Sequence, residues 1–169
     1  AISQFTKQEV HQHYQKSLKD IVVAYPDVNL DDKPVPQLRK KAFFKKHDLH
    51  QPYFLFVGTL QPRKNLLTLI SSFDQLCQQK INQDQELSQL VIAGKVGWLA
   101  TEIQQAVQQS EFNNRIILPG YVSNQIKKAL IKNAEATLLV GLYEGFGIPP
   151  LESLKLGTVP IVSNNSSLP

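Results

Sequence analysis

From residue 53 onward, short apolar runs alternate with segments of helical spacing. Residues 53–57 (YFLFV) are apolar without interruption and stop at Gly58. Leu66, Leu67, Leu69, Ile70, Phe73 and Leu76 then recur at the spacing of one helix face. The run 90–93 (LVIA) stops at Gly94, and Ile103 and Val107 mark a helix over 101–107. The run 115–118 (RIIL) is closed by Pro119 and Gly120, and 124–131 reads as a helix. The run 136–140 (ATLLV) ends in Gly141, a short helix follows over 150–156, and 159–162 (VPIV) is the fifth run. Strands apolar on both faces, alternating with helices, specify a parallel sheet covered on both sides. The pattern predicts an α/β fold: a doubly wound, Rossmann-like parallel sheet with helices on both faces. In such sheets ligands bind outside the carboxyl ends of the strands. Chemistry is therefore expected in the loops after Val57, Ala93, Leu118 and Val140.

The first fifty residues read differently. Thr6 with Glu9 three residues later has capping-box spacing and marks a helix start. The run 21–25 predicts a short strand ended by Pro26 and Asp27, 31–36 a loop by its prolines and charges, and 38–47 a basic helix. The chain thus divides into a leading segment with a basic helix, 1–50, and an α/β domain, 51–169. It opens on Ala with no Met anywhere, which suggests a piece of a longer protein. The fifth run lies close to the last residue, so truncation of the domain at its C-terminus is also expected.

Composition narrows the picture only a little. At 169 residues, 42% hydrophobic and 19% charged, the chain is ordinary for one globular domain. No apolar stretch is long enough to span a bilayer, and residues 1–14, polar and mixed in charge, do not read as a signal peptide. The single cysteine excludes an intramolecular disulfide framework and a cysteine metal cluster and suggests a reducing, cytoplasmic setting. A net charge of +4 suits an anionic ligand without choosing one.

Two segments carry the chemistry. The first runs from Tyr143 through Glu144, Gly145, Phe146, Gly147, Ile148, Pro149, Pro150 and Leu151 to Glu152. Gly145 and Gly147 permit positive φ and close approach of a ligand to the backbone. Open N–H groups of the loop, with that of Leu151, can converge ahead of the helix on a phosphate. Carboxylates beside a phosphate make sense if they grip hydroxyls, since each accepts two charge-assisted hydrogen bonds. Glu144 would hold a sugar hydroxyl and Glu152, early in the helix, a ribose. The plainer alternative is a solvated Glu144 and a Glu152 that favours the helix dipole. In the second segment, from Gly58 to Asn65, Arg63 and Lys64 stand where a doubly wound fold presents residues to a ligand. They can neutralise a diphosphate or be simple surface charges.

Together these segments resemble the C-terminal, donor-binding domain of GT-B glycosyltransferases, in the large retaining family with many bacterial mannosyl- and glucosyltransferases. Residues 53–65 (YFLFVGTLQPRKN) look like that family's first strand and basic loop, and 91–99 (VIAGKVGWL) like its second strand and turn. Residues 117–123 (ILPGYVS) resemble the segment that meets the base, and 157–169 (GTVPIVSNNSSLP) the last strand and its loop. Glu144 and Glu152 match the family's pair of glutamates separated by seven residues, and 3–10 the segment after the interdomain crossover.

The resemblance implies that Arg63 and Lys64 bind the donor diphosphate and stabilise the departing nucleotide. It implies that Glu144 holds the sugar and touches nothing else of the donor. Gly58, Gly145, Phe146, Gly147 and Leu151 would supply backbone contacts, Glu152 would hold the ribose, and Gly120, Tyr121 and Val122 would frame the base. It further implies a UDP- or GDP-linked hexose donor, with the Arg-Lys-Asn sequence leaning to GDP-mannose, no cofactor and no metal. Transfer would be to a glycan or lipid-linked acceptor in cell-surface polysaccharide synthesis. The acceptor domain is absent, so the chain alone is expected to be inactive. A non-catalytic nucleotide- or phosphate-binding module, or a sugar-nucleotide epimerase or phosphorylase of the same fold, is the alternative.

Two positions depart from the family. Thr59 replaces an Arg common after the first strand's glycine, and Gly141 stands where relatives often carry Ser. His11, His13, His47 and His50 read as surface residues with no metal site. Trp98 reads as a core residue, with ligand stacking as the alternative. Arg39, Lys40, Lys41, Lys45 and Lys46 with Phe43 and Phe44 offer either contact with an anionic lipid surface at the inner face of the membrane or a solvated face anchored by the two phenylalanines. Aromatic interleaving for nucleic acid is poor, so no nucleic-acid partner is expected.

Overall fold

A computed structural model describes residues 1–28, 30 and 35–169. The predicted loop over 31–36 lies largely outside the described residues. Five parallel strands form one sheet: β1 (Tyr53–Val57), β2 (Gln89–Ala93), β3 (Ile116–Gly120), β4 (Ala136–Leu139) and β5 (Val159–Val162), in the order β3-β2-β1-β4-β5. The helices are α1 (Gln4–Tyr14), α2 (Gln37–Lys46), α3 (Leu66–Asn82), α4 (Thr101–Gln109), α5 (Asn124–Asn133) and α6 (Ile148–Lys155). All five predicted strands of the domain are present, with ends shifted by a residue or two.

The period-two alternation of a strand sorts β1 and β2 between two cores. Phe56, Leu90 and Ile92 pack with Leu66, Ile70 and Phe73 of α3 and Ile103 of α4 on one face. Tyr53, Leu55, Val91 and Ala93 pack with Leu130 and Ile131 of α5 and with Phe43 and Phe44 of α2 on the other. Each such fully buried aliphatic or aromatic side chain contributes about 1.5–3 kcal/mol. The phenol of Tyr53 is buried but donates to the Leu130 carbonyl at 2.7 Å, so its polar atom costs nothing. The edge strand β5 departs from the expectation of two covered faces: Val159 is 66% and Ile161 48% exposed. Pro160 fits that edge, where a missing N–H is tolerated.

Three local readings are corrected. The cap of α1 is Ser3, whose Oγ accepts the Thr6 N–H at 3.0 Å; the helix starts before Thr6, since Ser3 already serves its first turn. The run 21–25 forms no strand and joins no sheet. Its polar groups go to the chain start instead, the Ala24 N–H to the Ala1 carbonyl at 2.9 Å and the Ala1 ammonium to the Val22 carbonyl. Trp98 is 63% exposed; a turn through Leu99 at φ 53° holds it outside the core, and its Nε1–H donates to Gln61 Oε1 at 3.2 Å.

Candidate functional site

The chain path reverses direction between β1 and β4, which lie side by side although the first connects to β2 and the second to β5. A crevice opens at the carboxyl ends there, because the loops leave toward opposite faces. The loop after β1 turns through Pro62–Lys64, a short 3-10 helix, and Asn65 takes a left-handed conformation (φ 57°) to start α3. Asn tolerates that region better than other side-chain-bearing residues. The loop after β4 is pinned to this turn: the Leu142 N–H donates to the Arg63 carbonyl at 2.8 Å.

The residues expected at the crevice are brought together here. Lys64 and Glu144 are 8% and 7% exposed, and Lys64 Nζ lies 2.5 Å from Glu144 Oε1. Arg63 Nη1 lies 3.1 Å from Glu144 Oε2 and also donates to the Tyr143 carbonyl. Glu144, expected to hold the sugar, also pairs with both cations assigned to the diphosphate. The reason is electrostatic, since a carboxylate this buried requires a paired charge. Gly141 makes room for the arrangement: a Cβ there would come 3.0 Å from Glu144 Oε1. The Ser replaced at this position would crowd the pair.

Glu152 is likewise buried and paired, with Lys127 Nζ of α5 2.5 Å from its Oε1. It is the fifth residue of α6, deeper than expected. With Ile148 first and Gly147 (φ 99°) as cap, Leu151 is the fourth helical residue, set behind the two prolines. The open N–H groups ahead of the helix are those of Gly147 and Ile148, because prolines occupy the next two positions. Gly147 takes the predicted positive φ, but Gly145 does not. The Gly145 carbonyl accepts the Thr6 hydroxyl at 3.1 Å, so α1 is fastened to this loop. Phe146, Gly147 and Leu151 line a cleft with Leu168.

Beside the crevice, over the ends of β1, β2 and β3, lies an open cavity of about 370 Å³. Gly58, Thr59, Gly94, Lys95, Tyr121 and Lys127 line it, as do Val57, Ala93, Val122 and Asn124. Of the residues expected at a base, Tyr121 and Val122 thus face this space. Gly120 (φ 74°) ends β3 next to it, its carbonyl accepting the Gly94 N–H at 2.9 Å. Lys95 Nζ stands 5.3 Å from the centre of the Tyr121 ring. Lys127 and Lys95 are site residues the sequence reading missed, since nothing in the local pattern of a lysine on a helix or turn reports its neighbours. Ser166 and Ser167 were also missed. The Glu144 N–H donates to Ser166 Oγ at 2.9 Å, and Ser167 Oγ donates to the Glu144 carbonyl at 2.8 Å. The arrangement sets Arg63, Lys64 and Lys127 against Glu144 and Glu152, an excess of one positive charge that suits an anion bearing hydroxyls. Among the described residues no three of His, Cys, Asp and Glu come together as a metal cluster would need.

The chain is similar to several known proteins. Residues 39–169 match the family described as glycosyl transferases group 1. The chain is 27% identical over 169 residues to the O-antigen chain mannosyltransferase B of Escherichia coli, covering 99% of this chain and 43% of that protein. A lipopolysaccharide outer core galactosyltransferase, WaaB, superposes with a TM-score of 0.69 at 26% identity over 100% of this chain and 43% of its own. An Anabaena protein, HepE, in complex with UDP-glucose superposes with a TM-score of 0.80 at 15% identity, over 99% of this chain and 44% of its own. The chain therefore spans less than half the length of these proteins. Its sheet is the Rossmann-like fold of one half of a GT-B glycosyltransferase. On the match over 39–169, the chain belongs to the glycosyl transferases group 1 family.

Proposed function

We propose that the chain is the donor-binding half of a glycosyltransferase that takes a nucleotide sugar and passes its hexose to a glycan or lipid-linked acceptor held elsewhere in the protein. The observation that carries this is the convergence of Arg63, Lys64 and Glu144 at the strand-order reversal, beside a cavity lined by Tyr121, Val122 and Lys127. The base lies in that cavity, Glu152 takes the ribose, and the diphosphate lies against Lys64, Arg63 and the open N–H groups of Gly147 and Ile148. As the bond to the sugar breaks, negative charge grows on the leaving diphosphate. Fixed cations stabilise that charge without reorganising, which is the work a metal would otherwise do. Transfer is metal-independent and retains the anomeric configuration on this reading.

Similarity to a mannosyltransferase of O-antigen chains favours mannose and cell-surface polysaccharide, and the UDP-glucose bound to HepE supports a nucleotide-sugar donor. The work is assigned to the cytoplasmic side; among the described residues no helix is long and apolar enough to cross a membrane. Peripheral contact with anionic lipid would use Lys41, Lys45 and Lys46 of α2, which are exposed, while Phe43 and Phe44 are packed into the core.

Calorimetric titration of this chain with GDP-mannose and UDP-glucose tests the proposal. Saturable binding of at least one is expected, with no sugar transfer by the chain alone. Absence of binding to either at millimolar concentration overturns it.

A further inference from the structure

We infer that Glu144 makes the site selective for the intact nucleotide sugar over the free nucleoside diphosphate, because its carboxylate sits where the diphosphate must go. The inference rests on the donor-site reading above and adds a second role to a residue expected to touch only the sugar. Both carboxylate oxygens are committed to cations, Oε1 to Lys64 at 2.5 Å and Oε2 to Arg63 at 3.1 Å. Phosphate oxygens seek the same two donors, so Glu144 and the diphosphate compete for them. A free diphosphate that wins strands a carboxylate only 7% exposed, and an unpaired buried charge is costly. A diphosphate carrying a sugar brings hydroxyl donors with it, and the displaced carboxylate is satisfied again. The spent product lacks that compensation and leaves more readily than the donor.

The surroundings allow this exchange to occur in the side chain alone. The peptide groups of Glu144 are held on both sides, the N–H by Ser166 Oγ and the carbonyl by Ser167 Oγ. Gly141 presents no side chain to the carboxylate, since a Cβ there would lie 3.0 Å from Oε1. The backbone stays fixed and the carboxylate is free to turn.

The test is calorimetric titration of wild type and Glu144→Gln with two pairs of probes, GDP against GDP-mannose and UDP against UDP-glucose, with folding checked by thermal melting. In Glu144→Gln the free diphosphate should bind about three- to tenfold tighter, while the sugar-bearing partner gains less or loses affinity. If that variant does not fold, Glu144→Asp replaces it. Its shorter carboxylate cannot bridge Lys64 and Arg63, and the same direction is expected. Unchanged or weakened diphosphate affinity overturns the inference and leaves the donor site standing. Failure of wild type to bind any of the four probes overturns both.

Discussion

Lys64 is the residue on which the site's electrostatics turn. It is nearly buried, and its ammonium meets a carboxylate from a loop that joins the sheet 80 positions later. Its stem passes 3.9 Å from where a Cβ on Gly58 would stand, so it runs along the end of β1 toward the crevice. Lys64→Ala removes a charge that both donor and product need. Affinity for nucleoside diphosphate and for nucleotide sugar should fall together, by about ten- to hundredfold, or roughly 1.5–3 kcal/mol. Calorimetry with both ligands checks this, and an unaltered diphosphate affinity would show that the lysine serves only Glu144. The place of Arg63 and Lys64 at the carboxyl end of the sheet was legible because they follow a strand end. Their engagement with Glu144 was not, since contact between residues 80 apart depends on which strands become neighbours.

At the scale of elements, the glycines that end β1 and β2 do steric work. The Gly94 N–H reaches the Gly120 carbonyl, and the Gly58 N–H reaches the Ala93 carbonyl at 3.0 Å, so the strand ends remain zipped beyond the ladders. A Cβ on Gly94 would lie 1.7 Å from the Gly58 carbonyl oxygen, which is backbone and cannot swing away. Gly94→Ala must push the loops after β1 and β2 apart. A loss of about 1–3 kcal/mol is expected, lowering the melting temperature by about 2–4 °C for each kcal/mol. A melting curve identical to wild type would show that the two loops part without cost. The sequence marked this glycine as a strand end but gave no hint of the approaching carbonyl, which belongs to a neighbouring strand. Helix starts were blurred for a related reason. Thr6 had the better capping-box spacing, yet Ser3 caps α1, and Thr6 spends its hydroxyl on the Gly145 carbonyl.

For the whole molecule, Cys77 reports how tightly the two-sided core closes. It is 1% exposed on α3, packed against the face formed by Phe56, Leu90 and Ile92. Burial first, and then the nearby Asp74 carboxylate, push its thiol above the usual range, so the reactive thiolate is scarce at neutral pH. Ellman's reagent should react with Cys77 orders of magnitude more slowly in the native protein than in denaturant. The native rate should rise with pH, as attack by the thiolate requires, and should track the free energy of opening. Rapid native reaction would mean that α3 lifts from the sheet easily.

The chain's own order of residues determined the five strands, the helices between them and the rim on which chemistry gathers. Those features rest on local periodicity and on turn residues, which a short window of sequence contains. The family resemblance added the roles proposed for Arg63, Lys64, Glu144 and Glu152. Only the tertiary structure decided that Lys64 and Arg63 close on Glu144, that Lys127 closes on Glu152, and that Ser166 and Ser167 grip the Glu144 backbone. It also decided that Trp98 faces outward and that 21–25 pairs with the chain start. Each of these depends on groups brought together by strand order and loop path, and by the need of buried charges for partners. No local pattern of residues encodes those conditions.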